Sequence, residues 1–162
     1  MKLISFDSGH LGVQVDDTCL VDITDLSHGA PGAWPPVGMV DLIARFDAVR
    51  PEIEARIRSA PRLDIASVRT ECPIGWPNKV VAFPANYDAH INEMKEGLIS
   101  TFKASGQGFF LKSNSSLSGP ADPIILPPIP DREVHHEAEL AIIIGKGGRA
   151  ISRDDALGHI FG

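Results

Sequence analysis

Short runs of apolar and β-branched residues open the chain, and turn-forming residues separate them. The runs cover residues 2–6, 12–15 and 19–22, with Ser8-Gly9 and Asp16-Asp17 between them. Runs of this length bounded by Gly, Ser and Asp are typical of strands joined by tight turns. The pattern predicts a small β-meander at the N-terminus.

The hydrophobic pattern changes after the Gly/Pro-rich loop HGAPGAWPPVG. Over residues 39–57 the apolar residues recur at roughly helical spacing, at Val40, Leu42, Ile43, Phe46, Val49, Ile53 and Ile57. Pro51 falls inside this segment, and a proline favours a break or the first turn of a new helix. We therefore expect two short amphipathic helices that cover one face of the meander.

The pattern then indicates a domain boundary. Residues 59–64 have the composition of a linker, and residues 65–72 are typical of a strand that leads to Pro73 and Pro77. Linkers with few apolar residues are where domains meet. We predict a small N-terminal α/β domain of residues 1–70 and a second unit of residues 71–162.

The second unit reads as strands with one helix-like segment and one long loop. The pattern predicts strands at residues 79–83, 108–111 and 124–126, a helix at 87–96, a loop at 113–123, and the longest strand in the run VHHEAELAIIIGKGGR. Ser152 and Asp155 have the spacing of a capping box, which predicts a helix over residues 153–160. The fold class expected for the whole chain is α+β.

Composition and charge narrow the function classes. The 162 residues are 43% hydrophobic with a net charge of −6, and the Lys and Arg residues are scattered. A nucleic-acid-binding protein needs clustered basic residues, so small molecules are the expected partners. The two cysteines lack metal or disulfide spacing. With neither a signal peptide nor a run of about 18 apolar residues in the sequence, we expect a cytoplasmic protein without membrane contact.

Acidic side chains stand at the start of the longest predicted strand. Residues two apart in a strand face the same side, which places His135, Glu137 and Glu139 on one face. The two carboxylates would then lie roughly 7 Å apart and provide oxygen ligands for Mg²⁺, Mn²⁺ or Ca²⁺. The alternative is a solvated strand edge with alternating charge. The apolar residues AIIIG that follow favour the first interpretation, in which the two carboxylates lie at the start of a buried strand.

A second group with possible chemistry is the segment NYDAHINEM, residues 86–94. On a helix, His90 and Glu93 lie one turn apart, so the carboxylate can orient the imidazole and stabilise its charge as it removes a proton from water. A surface His beside a surface Glu is the alternative. Lys112 has a similar alternative, as a cation at the end of a strand.

Taken in order, four motifs resemble the fumarylacetoacetate hydrolase (FAH) family. They are N-Y-x-x-H-x-x-E-M, then F-x-K, then G-P-x-D-P-I, and finally H-H-E-x-E-L-x-x-x-I-G-K, which together span about residues 79–162. The resemblance implies a mixed β-roll, similar to a β-sandwich or barrel, of which this chain holds only the first part. A truncated catalytic domain is therefore expected.

The resemblance also assigns roles. It implies that Glu137 and Glu139 are two of three carboxylate ligands of a divalent cation, Mg²⁺ or alternatively Mn²⁺ or Ca²⁺. The third ligand would come from a segment beyond residue 162. It implies that His90 and Glu93 activate water, and that Tyr87 and Lys112 line the substrate pocket.

The function implied is a metal-dependent hydrolase that cleaves a C–C bond of a β-dicarbonyl or acylpyruvate-type 2-oxo acid, with a metal-stabilised enolate. It requires that the intact chain extends beyond residue 162. Family decarboxylases, isomerases and hydratases acting on oxaloacetate or hydroxymuconates are one alternative, and an inactive fragment that needs a missing C-terminal half is another. A homodimer is expected because it is common in the family.

Overall fold

The structure, a computed structural model, has a mixed α+β fold and describes residues 1–84, 86–89, 91, 92, 106, 108–131 and 133–162. Its N-terminal part is a four-stranded antiparallel sheet in the order β1-β2-β3-β4. The strands are β1 (Lys2–Phe6), β2 (His10–Gln14), β3 (Cys19–Asp22) and β4 (Arg62–Asp64). The meander is confirmed. β4 replaces part of the expected linker because Leu63 pairs with Leu20 of β3.

Two helices follow the meander, as the apolar spacing predicts. They are α1 (Gly38–Ala44) and α2 (Phe46–Ser59), and Arg45 separates them. The expectation of a break at Pro51 was wrong, because Pro51 lies inside α2. A proline costs one intrahelical hydrogen bond, here to the carbonyl four residues earlier, at Asp47. α2 continues past it because the helix is anchored by packing on the sheet.

The hydrophobic core lies between the sheet and the two helices. One cluster of buried side chains forms this core. It contains Leu11, Val13, Val21 and Ile23 from β2, β3 and the residue after β3, and Met39, Leu42 and Ile53 from α1 and α2. Full burial of a Leu or Ile side chain stabilises a fold by about 1.5–3 kcal/mol. The predicted packing of the helices on one face of the meander is confirmed.

A carboxylate joins the β1–β2 turn to the segment that follows β4. The Glu71 carboxylate accepts hydrogen bonds from the backbone N–H groups of Ser8 and Gly9, each at 3.0 Å. Both turn residues have positive φ, which points their N–H groups toward one acceptor. Arg69, two residues earlier, forms an ion pair with Asp122. The turn, this segment and the loop around Asp122 are thereby connected.

The predicted strand over residues 65–72 is largely absent. The structure has a 3-10 helix at Ile65–Ser67 and one isolated bridge between Phe6 and Thr70. The Asp64 carboxylate accepts a hydrogen bond from the Ala66 N–H and so begins the 3-10 turn. This local hydrogen bond competes with sheet pairing at that point.

The second half contains one strand pair, β5 (Val80–Ala82) and β6 (Phe110–Lys112), which are antiparallel. The predicted strands at 79–83 and 108–111 are thus confirmed with slightly different bounds. The expected division into residues 1–70 and 71–162 stays a prediction. In the described part of the chain, no helix has the length and apolar composition that a bilayer span requires.

Three predicted elements of the second half differ from the structure. Residues 124–126 and 134–143 form no strand, and Ile124, Ile125 and Leu140 are about 80% exposed. A strand needs a neighbouring strand to bond with. Among the described residues, the backbone hydrogen bonds of the predicted long strand join residues 143–146 to residues 159–162, including that from the Phe161 N–H to the Ile143 carbonyl at 2.7 Å. The long strand is therefore reduced to its last residues.

The predicted helix over residues 153–160 is only a 3-10 turn, Ala156–His159. Half of the predicted box forms: the Asp155 N–H donates to the Ser152 hydroxyl oxygen at 3.2 Å, and the Ser152 hydroxyl in turn donates to the Asp155 carboxylate at 2.7 Å. Gly158 lies within the turn, and glycine in a helix costs about 1 kcal/mol relative to alanine. The turn itself begins after Asp155 without a side-chain cap, so nothing offsets the cost of nucleating an α-helix there.

Low pH is expected to weaken the α1 region through Asp41. The Arg45 guanidinium donates hydrogen bonds to this carboxylate, and the backbone N–H of His28 donates another. These bonds, that of Arg45 most strongly, lower the pKa of Asp41 from 3.8 to about 2. A carboxyl group with a depressed pKa stabilises the folded state above its ordinary pKa, and this contribution is lost as pH falls toward 2. We expect a loss of about 1 kcal/mol from this group, after allowance for its partial exposure.

The measurement is urea unfolding at pH 5 and pH 2 of the wild type and Asp41→Asn. The other carboxyl groups are common to both proteins, so the difference between their pH dependences isolates Asp41. Equal pH dependence in the two proteins would contradict the role assigned to this ion pair.

Candidate active site

The strand pair β5–β6 positions the two ends of the segment that carries NYDAHINEM. Val80 pairs with Lys112 and Ala82 pairs with Phe110. Because the strands are antiparallel, the chain that leaves β5 at residue 83 returns to the same end of the pair at residue 109. Residues 83 and 109, which flank this segment, therefore lie at the same end of the small sheet.

Lys112 ends β6 and is held on the same sheet. Its side chain is exposed, and its ammonium nitrogen lies 5.9 Å from the centroid of the Phe110 ring, a weak cation–π contact. Just beyond it, the Asn114 side-chain amide donates to the Pro77 carbonyl, which fixes the end of β6 beside the residues that enter β5. The alternative of a strand-end cation stays open for Lys112.

The segment after β5 begins as a helix, as predicted. Asp88, Ala89, Ile91 and Asn92 have helical backbone, and the Ile91 N–H donates to the Tyr87 carbonyl at 3.0 Å. His90 and Glu93 lie outside the described residues. Their assignment as a water-activating pair stays a prediction.

Glu137 and Glu139 lie in the exposed segment that was predicted as a strand. Because this segment has no regular strand structure, the common face expected for His135 and the two carboxylates is not established. The His135 ring is instead near Glu133, with Nε2 and Oε2 3.6 Å apart. Within the part of the chain that the structure describes, no three His, Cys, Asp or Glu side chains are grouped to hold a metal ion.

One hydrogen bond brings the two predicted site segments together. The Leu140 N–H donates to the Tyr87 hydroxyl oxygen at 3.1 Å, across 53 positions of sequence. Leu140 directly follows Glu139, and Tyr87 stands three positions before His90. The segment with the predicted base and the segment with the predicted metal ligands are therefore neighbours. Sequence reasoning missed Leu140 because a backbone amide leaves no signature in the choice of residue.

The model of the fumarylacetoacetate (FAA) hydrolase C-terminal family matches residues 79–162. This chain belongs to the fumarylacetoacetate hydrolase family. The match covers all four motifs that indicated the resemblance, so that identification is confirmed. In relation to the fold, the matched residues begin at β5 and include both site segments.

Similarity to two relatives extends over the whole chain. The maleylpyruvate hydrolase of Aquipseudomonas alcaligenes is 37% identical, over 100% of this chain and 58% of that protein. The mitochondrial oxaloacetate tautomerase FAHD2A of Bos taurus is 31% identical, over 100% of this chain and 50% of its own length. The chain thus spans a little more than half the length of the first relative and half the length of the second.

A solved structure gives a closer match. The maleylpyruvate hydrolase from Sphingobium sp. SYK-6, in complex with manganese(II) and pyruvate, is 46% identical and superposes with a TM-score of 0.85. The match covers 100% of this chain and 56% of that protein. The mixed α+β fold expected from the sequence is thus shared with a family structure, while the closed β-roll stays a prediction.

Proposed function

We propose that the full-length protein is a divalent-metal-dependent hydrolase that cleaves a C–C bond of an acylpyruvate-type 2-oxo acid. The observation that supports this most strongly is the 46% identity, along the whole chain, to a maleylpyruvate hydrolase with manganese(II) and pyruvate. In such a reaction, water adds to the acyl carbonyl and the bond to the neighbouring methylene carbon breaks. The products are a carboxylic acid and pyruvate, so atoms balance without another reactant.

The chemistry of the residues present fits a divalent cation. Glu137 and Glu139 offer carboxylate oxygens, the ligand type that Mg²⁺ and Mn²⁺ prefer. The two carboxylates would hold the ion together with at least one ligand from outside the described residues, since these contain no group of three. When bound, the ion acts as a Lewis acid that polarises the substrate carbonyl and stabilises developing negative charge.

The segment that Tyr87 begins would provide the base. His90 takes the proton from the attacking water, and Glu93 orients the imidazole and stabilises its positive charge. The proton is then available to the methylene carbon of the leaving pyruvate. Support comes from the contact between Tyr87 and Leu140, which brings the start of this segment to the peptide group that follows Glu139.

Lys112 would bind the substrate carboxylate. It ends β6 opposite Val80, two residues beyond Phe110, and a 2-oxo acid always presents a carboxylate at one end. A lysine ammonium is a point charge suited to such a group. Tyr87 is proposed to line the same pocket, in a role that the next subsection makes specific.

The active enzyme is proposed to include more protein than these residues. Ile124, Ile125 and Leu140 are about 80% exposed, as expected of apolar side chains that another segment covers in the full-length protein. We propose that protein corresponding to the rest of the relatives' length closes a β-roll over them, and that the enzyme is a cytoplasmic homodimer. A purified mass near 17.4 kDa without a second polypeptide would favour the inactive-fragment alternative.

Oxaloacetate tautomerisation is the second candidate. It is favoured by the 31% identity to a bovine oxaloacetate tautomerase over the whole chain. Both reactions place negative charge on an enolate oxygen next to a carboxylate, so one set of residues suits either. Hydrolysis differs because it consumes water and breaks a C–C bond.

Product analysis separates the candidates. The full-length gene product is incubated with maleylpyruvate or oxaloacetate, and the products are identified by NMR. We expect equimolar maleate and pyruvate from maleylpyruvate. The kcat/KM for maleylpyruvate should exceed the kcat/KM for oxaloacetate at least about 10-fold, which corresponds to about 1.4 kcal/mol in transition-state stabilisation. If the protein instead interconverted the enol and keto forms of oxaloacetate and left maleylpyruvate uncleaved, the result would support the tautomerase.

A further inference from the structure

The hydrogen bond between Tyr87 and Leu140 assigns a role to the single tyrosine of the chain. A phenol lining a pocket would be expected to point its oxygen at the substrate. Here that oxygen accepts the Leu140 N–H at 3.1 Å. The acceptor lone pair is therefore used on the protein's own backbone, at the peptide group that joins Glu139 to Leu140.

The same residue also starts the helical turn. The Tyr87 carbonyl accepts the Ile91 N–H at 3.0 Å and closes the first turn of that segment. Tyr87 thus joins two structures: its main chain begins the helix and its side chain holds the backbone next to Glu139. Removal of the hydroxyl would break this contact with the Leu140 backbone while leaving the helical hydrogen bond in place.

We propose that Tyr87 is a positioning residue, whose hydroxyl oxygen holds the start of the His90 segment against the peptide group that follows Glu139. The role rests on the proposed function, since it matters to catalysis only if His90 acts on water at the carboxylate site. A base that is displaced by about 1 Å loses a large part of its catalytic advantage. Metal ligation by the two carboxylates does not require the phenol.

The test uses Tyr87→Phe in the full-length protein, a change that removes one oxygen atom and keeps the ring. We expect kcat for acylpyruvate hydrolysis to fall about 10- to 100-fold, with KM and the Mn²⁺ dissociation constant within about 2-fold of the wild type. A rise in KM with unchanged kcat would overturn the proposal, because it would make Tyr87 a substrate ligand. Unchanged kcat and KM would also overturn it.

Amide hydrogen exchange tests the contact without reference to activity. The Leu140 amide is expected to exchange about 3- to 10-fold faster in Tyr87→Phe, as for loss of one ordinary hydrogen bond. The Ile23 amide, which bonds to the Leu11 carbonyl at 2.8 Å in the N-terminal core, is the control and should be unchanged. Equal acceleration at both amides would indicate general destabilisation and would overturn a positioning role.

The two readouts keep this inference distinct from the proposed function. If the wild type turned over no 2-oxo acid, the proposed function and the catalytic part of the inference would both fail, while Leu140 exchange would still report the contact. If the wild type were active and Leu140 exchange were the same in both proteins, only the positioning role would fail.

Discussion

Replacing Glu137 with glutamine is expected to lower acylpyruvate hydrolysis by the full-length protein on the order of 10²- to 10³-fold. The substitution keeps the size of the side chain and removes the anionic oxygen that would bind the cation. Lewis-acid stabilisation by a bound metal is worth several kcal/mol, and each 1.36 kcal/mol corresponds to a factor of about ten in rate. Glu139→Gln is expected to behave in the same way.

The matched control for this variant is Glu133→Gln. Glu133 lies in the same exposed segment, and its side chain is 84% exposed near His135. The Glu133→Gln substitution removes the same charge at a position with no proposed role in metal binding. Its turnover should therefore stay within about 2-fold of the wild type, as for most exposed substitutions. Binding of Mn²⁺ by calorimetry should weaken only in Glu137→Gln. Equal losses in both variants would point to nonspecific electrostatics.

Replacing His90 with asparagine is expected to lower kcat by about 10²- to 10⁴-fold, the usual contribution of a positioned general base. Metal affinity should be unchanged, because imidazole is not among the proposed ligands. The pH profile provides a second test. In the wild type, kcat should decrease at low pH as the base becomes protonated, and this decrease should be absent from the His90→Asn variant.

His28→Asn is the control for a change of imidazole to amide. The His28 side chain is 75% exposed beside Asp41 in the N-terminal part, so kcat should be unaffected. Glu93→Gln should reduce kcat less than His90→Asn, and the double variant should be no worse than His90→Asn alone, because the two residues act as one unit. Additive losses would contradict the dyad.

The N-terminal fold was predictable because its signals are local. Apolar spacing and turn residues at Ser8-Gly9 and Asp16-Asp17 correctly predicted three strands and two helices on one face. The helix break was misplaced because Pro51 costs only one hydrogen bond in a helix that is held by packing around Ile53. β4 was missed because its three residues depend on pairing with β3, which local sequence does not encode.

The second half was less predictable because its expected strands depend on distant partners. The run AIIIG has the pattern of a buried strand, yet only its last residues pair, with residues 159–162. For the site, residue types made Glu137, Glu139, His90 and Glu93 the candidates, since carboxylates and imidazole have recognisable chemistry, and their roles stay predictions. The Tyr87–Leu140 contact was not predictable, because any non-proline residue provides the same N–H group.

A metal titration tests whether a divalent ion held by Glu137 and Glu139 is required for acylpyruvate hydrolysis, as we propose. Metal-free full-length wild type and Glu137→Gln are titrated with Mn²⁺, and pyruvate release and metal binding are followed together. We expect no pyruvate release without metal, and activity that saturates in the wild type with one ion per chain. Pyruvate release at the full rate without metal, or wild-type Mn²⁺ affinity in Glu137→Gln, would contradict this proposal.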